Sequence, residues 1–149
     1  MRALLQRVSR CAVRVEGREI SRIGPGLLVL LGISHTDDER DAGFIVDKAL
    51  NLRIFDDAEG KLNLSLADVG GEVMVVSQFT LYGDARKGRR PSYTSAAPPS
   101  RAEKLYEAVC ARFAEAGFPP GRGVFGARME VELTGDGPVT LLLESPPHA

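Results

Sequence analysis

At 149 residues, 44% of them apolar and 26% charged, the chain has the make-up of one globular domain, residues 1–149, with room for a substantial core, which excludes a disordered or fibrous class. A formal net charge of −1 excludes a global field of the kind that marks nucleic-acid binders, so any such contact must rest on a local patch. Two distant cysteines, Cys11 and Cys110, form no CxxC pair and no zinc spacing, and read as buried free thiols of a reducing compartment.

Charge interrupts the first residues too early for a signal peptide, and the longest apolar run, residues 27–31, is far short of a membrane span. A soluble, cytoplasmic chain with no membrane association is therefore expected. Residues 4–8 and 12–15 read as two strands, the second turning at Glu16 and Gly17 into residues 19–21. Residues 27–33 lack alternation, which predicts a strand covered on both faces. Thr36 and Glu39 match a capping box, and Ala42, Ile45, Val46, Ala49 and Leu50 follow at helical spacing. Short strands are expected at 52–55 and 62–66, joined by an acidic turn whose spacing does not fit an EF-hand.

Residues 73–76 are a strongly apolar strand. Ser100 is the expected cap of a second helix, with Leu105, Val109 and Phe113 on its inner stripe and Gly117 at its end. Residues 127–134 and 139–144 read as two strands linked by a glycine-proline turn. The sum is a β-rich mixed α/β fold: about eight strands in mostly antiparallel sheet, two main helices packed on it, and β/α/β layering.

Two segments stand out for chemistry. Residues 77–84 read Ser-Gln-Phe-Thr-Leu-Tyr-Gly-Asp and leave the central strand, so Ser77, Gln78, Phe79 and Thr80 sit where a rigid scaffold presents polar groups. Residues 134–140 carry Gly137-Pro138, a step that a plain hairpin does not require. Directly after the first segment come Arg86, Lys87, Arg89 and Arg90, a basic loop suited to phosphate contacts or, read alone, a solvated turn. The two histidines, His35 and His148, lie far from Ser77 and Thr80 in sequence, and His148 sits in a Pro-rich tail expected to be mobile. There is no G-x-S-x-G elbow, no P-loop, no G-x-G-x-x-G after a strand and no metal-ligand spacing, so neither a cofactor nor a metal is expected. An enzyme built this way must act by binding and preorganised electrostatics on a substrate that is already reactive.

The chain resembles the D-aminoacyl-tRNA deacylase family over essentially its full length. The motifs that carry the resemblance are Gln6-Arg7-Val8, the run 26–32, Leu52-Arg53-Ile54-Phe55, residues 57–61, Ser77-Gln78-Phe79-Thr80-Leu81, Arg90-Pro91-Ser92-Tyr93 and Gly137-Pro138-Val139-Thr140. One departure is Gly135, where the family usually shows Asn. The resemblance implies a homodimer that cleaves the ester between a D-amino acid and the terminal adenosine of tRNA. It also implies that a cis Gly137-Pro138 of one subunit enters the other's pocket and excludes L side chains, held by Arg7. Indifference to the D side chain and leakage to glycyl-tRNA follow from exclusion of this kind. Within that account the catalytic candidates are Ser77, Gln78, Phe79 and Thr80. Backbone N–H groups around Phe79 and Thr80 form an oxyanion hole, and Phe79 lines an adenine pocket with Gln78 as its polar partner, core packing being the alternative. Thr80 has no base beside it in sequence and is read as structural, which leaves the terminal ribose 2′-hydroxyl as the chemical helper. Two other readings stay open: a paralogous deacylase for a different mischarged tRNA, and a noncatalytic RNA-binding module.

Overall fold

The computed structural model describes residues 1–148. Its organising element is a single long strand, β1 (Arg2–Val15), where sequence suggested two. A tight turn with Glu16 and Gly17 at φ 51° and 76° leads into β2 (Arg18–Ile23). β3 (Gly26–Gly32) pairs antiparallel with the first half of β1, and β2 with the second. β6 (Glu72–Ser77) lies parallel to β3, and β7 (Gly121–Arg122) parallel to β6. β8 (Glu130–Glu144) pairs antiparallel along the other edge of β1 for almost its whole length. β4 (Phe55–Asp56) and β5 (Leu62–Leu64) make a small separate ribbon. The fold is the expected mixed α/β arrangement, with eight strands among the described residues.

β3 is covered on both faces, as its unbroken apolar run predicts. Leu27, Val29 and Leu31 face helices α1 (Glu39–Asn51) and α3 (Pro99–Glu115), packing in one cluster with Ile45, Ala49, Val109 and Phe113. Leu28 faces the opposite side of the sheet, where Val8, Cys11, Val13, Met74 and Val76 form a second cluster. Each fully buried side chain of this size stabilises the fold by about 1.5–3 kcal/mol. Cys11 and Cys110 are both buried free thiols, and burial pushes Cys11 up to about 11.

Several boundaries move, each for a local reason. The cap of α1 is Asp38, not Thr36: Asp38 Oδ1 accepts from Arg40 N at 2.8 Å and Asp41 Oδ2 accepts from Asp38 N at 2.8 Å. Thr36 is instead within 3.1 Å of the Ser34 hydroxyl, and Asp37 closes the preceding turn on Ser34 N. α3 begins at Pro99, ahead of Ser100, because proline has no N–H to lose at the first helical position. Leu52 caps α1 through Lys48 O, which shortens the expected strand to Phe55–Asp56. Ser65 and Asp68 form a reciprocal cap that opens a third helix, α2 (Leu66–Val69), and cuts β5 short. His148 lies 2.7 Å from Asp41 Oδ2 and 3.7 Å from Asp38 Oδ2, a contact the Pro-rich tail did not suggest. His148 comes from more than 100 residues beyond the two aspartates, so no sequence spacing announces their cluster.

The larger correction concerns the expected strands 127–134 and 139–144. In place of two strands and a turn there is one strand, β8, which starts only at Glu130 and is registered on β1 on both sides of the glycine-proline step. Gln6 pairs with Thr140 and Val8 with Gly135, so Asp136, Gly137, Pro138 and Val139 stand opposite Arg7 alone. The step is an outward loop in an edge strand.

Candidate functional site

The end of β6 places the first motif. Ser77 is the last residue of the strand, and Gln78 N donates to Leu31 O at 2.7 Å, which ties the exit to the neighbouring strand. The chain then winds into a 3-10 turn, Phe79–Tyr82, closed by Leu81 N to Gln78 O at 3.2 Å and Gly83 N to Thr80 O at 2.9 Å. Phe79 N and Thr80 N stand at the start of this turn, where N–H groups have no acceptor within the helix itself. Gly32 makes the close seating possible: a Cβ there would lie 3.1 Å from Gln78 O and 3.1 Å from Leu81 Cβ.

Beside the turn opens a cavity of about 410 Å³, lined by Ser77, Gln78, Phe79, Ala102, Phe125 and Met129 among others. Its walls are mainly apolar, with Leu31, Ile33, Val76 and Val131 at its floor. This is the usual composition of a small-ligand site, a hydrophobic pocket with few polar groups. The Gln78 amide donates to Thr80 Oγ1, so that hydroxyl is engaged as an acceptor. No histidine or carboxylate hydrogen-bonds Thr80 among the described residues, and it therefore lacks the partner that an activated nucleophile needs.

Phe79 is 58% exposed and meets Tyr93 edge-on, ring centroids 5.2 Å apart. That exposure removes the core-packing alternative for Phe79 within the single chain. The basic loop is a hairpin closed by Asp84 and Ser92, whose backbones exchange hydrogen bonds of 2.7 and 2.9 Å. Arg86, Lys87, Arg89 and Arg90 are all exposed on it. Arg86 pairs with Asp84 at 2.8 Å, and this partner holds the Asp84 carboxyl down at about 2.

The second motif is braced from β1. Arg7 is only 7% exposed, and its guanidinium spans two segments. Nε donates to Asp136 O at 3.0 Å and Nη1 to Ile54 O at 3.0 Å, with Asp56 Oδ1 at 3.2 Å and Asp136 Oδ2 at 3.3 Å. A rigid planar fork suits this job, which a lysine ammonium could not repeat. The Gly137-Pro138 peptide is cis, and Gly137 has φ +130°, a region closed to most side chains. A Cβ at Gly137 would also lie 2.8 Å from Val139 N and 3.2 Å from Arg7 Nη2.

The structure thus brings Ser77, Gln78, Phe79 and Thr80 together, and separately joins Arg7 to the Gly137-Pro138 loop. It does not join the two groups. Residues facing the 3-10 turn lie at the Arg2 end of β1, and Arg7 is five residues along, roughly 17 Å at strand spacing. Sequence reasoning missed Phe125 and Met129 in the cavity wall and Asp56 and Asp136 as partners of Arg7. Gly123 and Gly126, flanking an apolar pair after Pro119-Pro120, were a usable signal for the first two; the acidic pair had none.

Comparisons with known proteins agree with this geometry. A family model described as "D-Tyr-tRNA(Tyr) deacylase" matches residues 4–144. The chain is 58% identical over 144 residues to "D-aminoacyl-tRNA deacylase" of Heliobacterium modesticaldum, covering 97% of this chain and 96% of that protein. A solved structure described as "c-Myc DNA Unwinding Element Binding Protein" is 43% identical with a TM-score of 0.94, covering 99% of this chain and all, 100%, of that one. A second, "a probable eukaryotic D-amino acid tRNA deacylase", shares the fold at 18% identity and a TM-score of 0.82, over 95% of this chain and 97% of that one. The chain belongs to the D-Tyr-tRNA(Tyr) deacylase family.

Proposed function

We propose that this protein hydrolyses the ester linking a D-amino acid to the 3′-terminal adenosine of tRNA, in a site completed by a second copy of the chain. The observation that carries the reading is the cavity beside the 3-10 turn. It offers backbone N–H groups and apolar walls, and no acid–base pair accompanies Thr80 among the described residues. Such a site suits an ester that needs only positioning and stabilisation of a developing oxyanion. The N–H groups of Phe79 and Thr80 take the carbonyl oxygen, Ser77 and Gln78 orient the ester, and Phe79 borders the adenosine. Attack falls to water assisted by the ribose 2′-hydroxyl.

Selection against L substrates is assigned to Gly137-Pro138 of the second copy. Two features support a composite site. Within one chain the loop is remote from the cavity, and it projects from β8, an edge strand that pairs only with β1 among the described residues and in which Leu141 and Leu142 are exposed. An exposed edge of this length is a surface that native proteins cover. Backbone filling the place of an L side chain rejects it by clash and admits hydrogen or a D side chain, so glycyl-tRNA should also be cleaved. Arg86, Lys87, Arg89 and Arg90 are assigned to tRNA phosphates.

A noncatalytic nucleic-acid module is the competing reading, favoured by the exposed basic hairpin and by the description of the 43%-identical structure. Rates on matched D-Tyr-tRNA and L-Tyr-tRNA, with sedimentation of the same sample, decide between them. The proposal expects a dimer that cleaves the D ester and spares the L ester. Binding without cleavage, or a fully active monomer, would overturn it.

A further inference from the structure

The cavity rim is a 3-10 turn of four residues, an element too short to hold its own shape. Gln78 N anchors its start on Leu31 O, and Gly32 gives it a flat seat. Its far end is held by a side chain from another strand. Arg2 Nη1 donates to Leu81 O at 2.8 Å, and the guanidinium carbon lies 4.5 Å over the Tyr82 ring. Glu144 Oε2 stands 3.8 Å from Arg2 Nε, which keeps the fork oriented. Tyr82 is half-buried, and burial, with the Asp37 charge second, pushes its phenol up to about 12, so it stays a neutral stacking surface.

We infer that Arg2 is a positioning residue for the deacylase site, setting where the Phe79 and Thr80 N–H groups point by fixing the far end of their turn. The inference rests on the proposed function for its kinetic consequence, though not for its structural one. Arg2 lies in register between Gly32 of β3 and Glu144 of β8, so truncating the side chain leaves β1 in its sheet. What the turn loses is one charge-assisted hydrogen bond and one cation–π contact; the exposed ion pair with Glu144 goes as well and adds little. Arg2 and Arg7 thereby divide β1 between them: one holds the rim of the chain's own cavity, the other holds the loop offered to a second copy.

Arg2→Met keeps the apolar stem and removes the donor, while Arg2→Lys restores a single donor. With D-Tyr-tRNA, Arg2→Met should lower kcat about tenfold or more, the worth of one charge-assisted hydrogen bond, with KM within about twofold of the parent. Arg2→Lys should recover most of that loss, and the D/L ratio should not change in either variant. Amide hydrogen exchange of the full-length protein supplies a readout free of activity: residues 79–83 should exchange faster in Arg2→Met while β3 and β6 keep their protection. An unchanged kcat with unchanged exchange at 79–83 overturns the inference. So does a general loss of protection that Arg2→Lys fails to rescue, because it makes Arg2 a fold residue only. If the parent protein cleaves no D ester, the functional reading fails, and the exchange experiment still decides whether Arg2 holds the turn.

Discussion

The two halves of the candidate site are built in opposite ways. The Ser77–Thr80 half grows from β3 and β6, interior strands buried on both faces, and only its last turn is open to solvent. The Gly137-Pro138 half projects from β8, an edge strand, and is held by one buried arginine. Rigidity comes from close apolar packing in the first case and from a polar brace in the second. The two should therefore fail differently: the interior half through steric overcrowding, the edge half through lost hydrogen bonds.

Glycines give the largest test of that contrast. At Gly26 a Cβ would lie 1.8 Å from Glu72 O, so Gly26→Ala must part β3 from β6, and a loss of more than about 3 kcal/mol is expected in urea unfolding. A Cβ at Gly135 would meet no atom within 4 Å beyond its chain neighbours, and Gly135→Ala should stay within about 0.5 kcal/mol of the parent. Comparable costs at the two positions would erase the distinction.

Arg7→Ala comes next. It strips partners from Asp136 O and Ile54 O, at an expected cost of about 1–3 kcal/mol. The half-exposed carboxylates of Asp56 and Asp136 hydrate readily and add little. The D/L rate ratio should fall further than the D rate itself, and an unchanged ratio in a folded variant would remove Arg7 as the brace. Thr80→Ala should retain D-deacylase activity within about tenfold, since a lost nucleophile costs orders of magnitude more. A folded but inactive variant, or a trapped acyl-enzyme, contradicts the side-chain-independent mechanism. The smallest effect is expected from Arg89→Ala combined with Arg90→Ala: a few-fold higher KM and a flatter salt dependence, by about one unit of slope per phosphate contact, with kcat preserved. An unaltered slope returns this hairpin to a solvated turn.

The interior half was the more legible in sequence, for the same physical reason that makes it rigid. An unbroken apolar run such as residues 27–31 admits few placements, and the polar run after residue 76 marks a strand exit whatever follows. The edge half was misread at the level of topology. Glycine and proline in succession signal a turn, and local chemistry cannot tell a hairpin turn from a loop let out of a strand whose register is set by β1. The start of α1 is displaced because Thr36 meets the Ser34 hydroxyl and Asp37 accepts from Ser34 N, which leaves Asp38 to cap the helix by accepting from Arg40 N. The cap at Ser65 was present in the sequence as Ser-x-x-Asp and was passed over for the alternation around it. Arg7 owes its placement to the family resemblance, whereas Arg2, with no motif around it, was invisible until Leu81 and Tyr82 were seen beside it.

The roughly 17 Å along β1 between the cavity and the loop also has a genetic consequence. In the two-fold dimer proposed above, each site would take its cavity from one subunit and its loop from the other. A lesion in the cavity and a lesion in the loop, carried on different chains, then sort unevenly in the mixed dimer: both fall into one site, and the other site inherits neither. Two alleles that are each defective alone should complement in one cell. Two lesions on the same side of the divide should not. Crosses among such alleles would map the boundary between the halves without any structure of the dimer.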